Sequence, residues 1–65
     1  MPIVHVHVWE GLDDVEVEKV ISGMTQVCVD LGAPPEAVQV LVHITPKTHW
    51  GKGGVPASKK SSDQA

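Results

Sequence analysis

The stretch MPIVHVHVW at the start of the chain sets a proline directly behind the methionine and ahead of an alternating run. Proline lacks a backbone N–H and is poor material for a strand interior, but at a strand's end that loss costs nothing. Methionine before a small residue is normally trimmed, so the mature chain is expected to begin at Pro2 with a free secondary amine in a rigid ring. A free α-amino group has a pKa near ~8, and a secondary amine lies somewhat higher. A base that must be neutral at pH 7 needs that value lowered, and burial in an apolar pocket does so because desolvation disfavours the charged form. Position 2 therefore offers general-base chemistry.

Three histidines offer a different chemistry. His5 and His7 stand two residues apart on one strand face, and His43 shares that face on the second strand. Three histidines on adjacent strands could hold zinc with an open fourth position. The plainer reading is hydrogen-bonded interface or solvent-facing histidines. A register that set His5 and His43 at opposite ends of their strands would disqualify the metal, because each residue adds about 3.3 Å of rise. Cys28 lies on an apolar helix stripe and reads as core. The run Gly51-Lys52-Gly53-Gly54 lacks the spacing of a phosphate-binding loop and reads as a hairpin turn. Lys59-Lys60 reads as part of a solvated tail.

The elements that must position these groups follow from pattern. Ile3 to Trp9 alternates with period two, Val4, Val6 and Val8 on one face and Ile3, His5, His7 and Trp9 on the other. Asp13 can cap a helix, and Glu16 three residues on can close a capping box. Val17, Val20, Ile21, Met24, Val27, Cys28 and Leu31 follow at helical spacing. Gly32 is a natural C-terminal stop, and Pro34-Pro35 prevents continuation. Val38 to Ile44 alternates again, with Val38, Val40, Val42 and Ile44 opposed to Gln39, Leu41 and His43. Strand, helix, strand in this order is a βαβ unit, with parallel strands and a right-handed crossover. Thr45 to Pro56 reads as turns and a short hairpin, and residues 58–65 as a polar, fraying tail.

The expected fold is therefore α/β (α+β): one domain over residues 1–65, a βαβ protomer with a short C-terminal hairpin. It raises a problem. A chain of 65 residues builds only a small core. With a single cysteine it can form no intrachain disulfide. A two-stranded parallel sheet is unstable alone and needs cover on both faces, whereas one helix covers one face. The other carries Ile3, Trp9 and Leu41, too apolar for water. Oligomerisation is expected to complete the sheet.

Composition narrows the function. The formal net charge is −3, and no basic stripe interleaves with aromatics, so a nucleic-acid partner is not expected. No apolar run approaches the length of a membrane span. The first residues lack a basic region and a continuous apolar stretch, so a cytoplasmic location is expected. All five basic residues are lysines.

With these residues in view, the chain resembles the 4-oxalocrotonate tautomerase family of the tautomerase superfamily. The resemblance runs from about Pro2 to Lys59 and rests on PIVHVHVWEG, GAPPEAVQVLV and HWGKGGVPAS, in that order and spacing. It implies βαβ protomers paired into four-stranded dimers, three dimers making a hexamer. It implies a small-molecule substrate, no cofactor, and catalysis by the amino-terminal proline, here Pro2. That nitrogen takes a proton from a dienol or activated carbon and returns it to another carbon of the substrate. Trp50 falls where the family usually has a phenylalanine beside the proline, and with Ile3 and Leu41 it is a candidate apolar wall.

The chain also departs from the family. Its tautomerases grip substrate carboxylate and carbonyl oxygens with two arginines, one after the glycine that ends the first strand and one in the second strand. Those positions hold Leu12 and Gln39, and the chain has no arginine at all. Neither replacement can clasp a carboxylate bidentately. Lys47, His49 and Lys52 are candidates to supply positive charge instead. A tautomerase acting on a changed 2-oxo or enol acid is the expectation. The alternatives are a non-catalytic oligomer and a metal-binding module of His5, His7 and His43.

Overall fold

A computed structural model describes residues 2–60. Strand β1 is Ile3–Trp9, helix α1 is Asp14–Asp30 and strand β2 is Gln39–Thr45. Strands β3 (Gly51–Lys52) and β4 (Val55–Pro56) form a small hairpin, followed by a 3₁₀ turn over Ala57–Lys60. Residues 61–65 of the expected tail lie outside the described residues.

Local rules account for the helix. The Asp13 carboxylate accepts the Glu16 N–H at 2.8 Å, and the Glu16 carboxylate accepts the Asp13 N–H at 3.0 Å. This reciprocal box satisfies two donors that the first turn leaves open. At the other end the Gly32 N–H donates to Val29 at 2.9 Å and the Ala33 N–H to Cys28 at 3.1 Å. That pair is a Schellman closure, and it requires the φ of +111° that Gly32 adopts. Strand β2 begins one residue later than the alternation suggests. Val38 closes the 3₁₀ turn Pro35–Ala37 instead, its N–H donating to Pro35.

β1 and β2 are parallel, as expected, in the register Val4–Val40, Val6–Val42 and Val8–Ile44 on one face. The other face pairs Ile3 with Gln39, His5 with Leu41, His7 with His43 and Trp9 with Thr45. The helix packs mainly across β2 on the valine face. At Gly53-Gly54 the β3–β4 loop turns with both φ values positive, +63° and +84°, the signature of a two-residue primed turn.

What this fold lacks is an interior. Among the described residues no side chain is fully buried. Val17, Val20 and Cys28 of the helix stripe are half-buried. Val27 and Leu31 of the same stripe stay 55% and 85% exposed, and on the open sheet face Ile3 is 53% exposed. Burying an aliphatic side chain is worth about 1.5–3 kcal/mol, and this protomer leaves most of that gain unrealised. None of the helices among the described residues is long and apolar enough to cross a membrane.

Candidate active site

The candidate residues divide between the two ends of the sheet. At the start of β1 stands Pro2, half-buried, its carbonyl accepting the Gln39 N–H at 3.0 Å. Gln39 is thus fixed beside Pro2 within one chain. Ile3 pairs with Gln39, and Leu41 lies two residues further along the same face, 40% exposed. This end holds the candidate proline, an amide side chain and two apolar side chains.

The opposite end holds the rest. Trp50 meets Trp9 edge to face, ring centroids 5.9 Å apart at 86°. The Lys47 ammonium stands 4.9 Å from the Trp9 ring centroid, within the range of a cation–π contact. The loop that carries Lys47 is tied back to β1: the Glu10 N–H donates to Thr45 at 3.0 Å, and the Lys47 N–H donates to the Glu10 carboxylate at 3.3 Å. Trp50 is fixed through its carbonyl, which accepts the Ala57 N–H at 2.7 Å. His49 and Lys52 are exposed in this loop and hairpin, His49 bonded to the Thr48 hydroxyl at 2.8 Å. Leu12 is half-buried in the connection between β1 and α1.

Trp9 stands seven positions beyond Pro2 along an extended strand, about 23 Å at a rise of ~3.3 Å per residue. A single chain therefore does not bring Trp50, Leu12, Lys47, His49 or Lys52 to its own Pro2. It gathers Gln39, Ile3 and Leu41 there, sets Trp50 and Lys47 against Trp9, and carries Leu12, His49 and Lys52 on the connections that follow β1 and β2. Trp9 itself was not among the residues that sequence reasoning singled out for the site. Its signal was present: it is one of only two aromatic residues in the chain, at the strand end to which the lysine- and tryptophan-bearing loop returns.

The histidines lie between the two ends. The His5 Nδ1 and His43 Nε2 are 2.8 Å apart in a hydrogen bond. The His43 ring stacks on His7 at 4.5 Å and on His5 at 5.1 Å between centroids. The register thus pairs His43 with His7 and leaves it diagonal to His5, within hydrogen-bond reach and not at the opposite strand end. The metal reading gains nothing from that proximity. The rings stack, the His5–His43 bond takes up one nitrogen lone pair, and among the described residues no group of three or more ligand side chains is disposed to hold an ion.

An α+β protomer built on one βαβ unit, closed by a short hairpin and left without an interior, is the class this geometry defines. Residues 2–60 match the family described as Tautomerase enzyme, and the chain belongs to that family. It is 42% identical over 60 residues to the 2-hydroxymuconate tautomerase of Pseudomonas sp. strain CF600, covering 91% of this chain and 95% of that protein. Among solved structures it is similar to TomN, a 4-oxalocrotonate tautomerase homologue of the tomaymycin biosynthetic pathway. That match has a TM-score of 0.89 and 31% identity, over 98% of this chain and 100% of that one. Apo unfused 4-oxalocrotonate tautomerase is similar at TM-score 0.81 and 40% identity, over 86% and 98% of the two chains.

Proposed function

We propose that this protein is a keto–enol tautomerase in which Pro2, exposed by removal of Met1, carries the proton. The neutral ring nitrogen takes a proton from the enol hydroxyl or an acidic carbon of the substrate and becomes an ammonium. It then returns the proton to another carbon, so the substrate is isomerised with no atom gained or lost. The observation that carries the reading is the family match, which begins at the proline itself. Neutrality of the base needs a dry pocket. One protomer leaves Pro2 half-buried, so cover must come from elsewhere.

In this reading the cover is another copy of the chain. Lining up one protomer's Pro2 end with a second protomer's Trp9–Trp50 end would supply the apolar wall, with Leu12 and the Lys47, His49 and Lys52 cations close by. The exposed apolar residues on both the helix and the open sheet face support an assembly of this kind. A hexamer of three dimers is the form that the resemblance implies. The substrate is a small 2-oxo or enol acid, different from the family's dicarboxylate because Leu12 and Gln39 stand where arginines are expected. The reading sets the enzyme in the cytoplasm, consistent with its lone cysteine.

The same missing arginines favour one rival reading, an oligomer that kept the fold and lost catalysis. The two are separated by assaying Pro2→Ala against an arylenolpyruvate such as phenylenolpyruvate, alongside the intact mass of the wild-type chain. A tautomerase loses most of its activity in the variant, and its mature mass lacks Met1. A non-catalytic oligomer shows the same background rate in both proteins.

A further inference from the structure

We propose that Trp9 and Lys47 form a carboxylate-binding subsite that takes over the anion grip of the absent arginines and favours planar, aromatic carboxylates. Naming the ligand as substrate rests on the tautomerase reading above; the binding itself does not.

The first observation is an orphan. The Trp9 indole Nε1 is buried and has no hydrogen-bond partner. A buried donor without an acceptor is costly, and in native structures such groups commonly mark a place that something else fills. Indole N–H is a donor only, so what it lacks is an acceptor.

The second observation is the charge beside it. Lys47 is half-buried and its ammonium stands over the Trp9 ring. Its side chain contacts that ring, and among the described residues it forms no ion pair. The nearby Glu10 carboxylate accepts the main-chain N–H of Lys47 through one oxygen, at 3.3 Å. Once the contacts that enclose the indole N–H open on binding, that N–H and the ammonium over the same ring can bond two oxygens of one carboxylate, and the charge-assisted bond is the stronger of the two. Lysine contributes as a point charge without the bidentate fork of arginine, so the indole donor supplies the directional half.

The third observation sets the shape of the ligand. Trp50 stands perpendicular to Trp9, and the two rings make an aromatic corner next to the charge. A flat, conjugated group fits such a corner by stacking on one ring and meeting the edge of the other.

The test uses the protein's own reporters, because Trp9 and Trp50 are its only tryptophans. Tryptophan emission of the full-length protein is followed while phenylacetate, or its neutral analogue phenylacetamide, is added at low salt. Phenylacetate should bind saturably and about tenfold or more tighter than the amide, as expected for a charge-assisted contact. Lys47→Gln should abolish that preference while leaving amide binding unchanged. Trp9→Phe keeps an aromatic ring and Trp50 as reporter, and should weaken phenylacetate several-fold. Equal binding of the two probes, or no binding of either, overturns the proposal on the wild-type protein alone. A preference that survives in folded Lys47→Gln also overturns it and moves the anion grip elsewhere. None of these readouts needs turnover, so an inactive Pro2→Ala bears only on the tautomerase reading.

Discussion

The Gln39 N–H donates to the Pro2 carbonyl at 3.0 Å, which ties the residue before β1 to the first residue of β2. The bond makes position 39 a neighbour of Pro2 within the same chain. Position 12 and position 50 lie beyond the far end of β1, about 23 Å away along the strand. The candidate residues thus fall at two ends of one protomer, and the reading proposed above joins each end to the opposite end of a second copy.

Assembly is the first consequence to test. With no fully buried side chain among the described residues, a monomer would rest on half-buried side chains and backbone hydrogen bonds. Sedimentation at micromolar concentration should show an oligomer with no dominant monomer, and dilution should lose helicity together with assembly. A well-folded monomer would contradict this.

Division of the site predicts complementation. Pro2→Ala and Trp50→Ala should each be poor catalysts when assembled alone. Denaturing and refolding the two together should recover activity, because some sites then combine an intact Pro2 from one chain with an intact Trp50 from another. If Pro2 and Trp50 acted within one chain, every site would keep one lesion and mixing would recover nothing.

The helix start gives a third measurement. Asp13 accepts the Glu16 N–H at 2.8 Å as half of the capping box. Asp13→Ala should destabilise the assembled protein by about 1 kcal/mol per chain. Asp13→Asn, which keeps the acceptor, should cost only a fraction of that. The comparison is made by urea unfolding at a fixed protein concentration, since assembly makes apparent stability concentration-dependent.

What could be read from the residues, and what could not, divides by range. The Asp13–Glu16 box, the Gly32 stop and the two alternating strands depend on neighbours within about five positions, and short-range chemistry dictates them. The pairing of His7 with His43 depends on the register of two strands separated by the whole helix. No local pattern carries that, because two strands of alternating residues accept several registers. Trp50 meeting Trp9 depends on the path of a loop 41 positions downstream of the strand that bears Trp9. The seven-residue apolar stripe of the helix read as a buried face, yet Ile21, Met24, Val27 and Leu31 remain exposed. Periodicity reports that a face is apolar, not whether its own chain covers it.

The last prediction concerns the missing arginines. Gln39 lies at the Pro2 end, and Leu12 at the Trp9 end, so the two family positions belong to different half-sites. Restoring only one should have a small effect, since a dicarboxylate would still lack one grip. Leu12→Arg combined with Gln39→Arg should favour a dicarboxylate over a monocarboxylate of similar size. A hydrogen bond to a charged group is worth about 1.5–3 kcal/mol, which corresponds to roughly one to two orders of magnitude in relative kcat/KM. The added cations should also disfavour the protonated proline, lowering its pKa by like-charge repulsion. The base would then be neutral at lower pH, and the acidic limb of the pH–rate profile should move down. Two results would refute the argument. One is a wild-type protein that already prefers dicarboxylates, which would mean that the lysines supply both grips. The other is a folded, assembled double variant with neither the selectivity change nor the shifted limb, which would mean that positions 12 and 39 do not meet around Pro2.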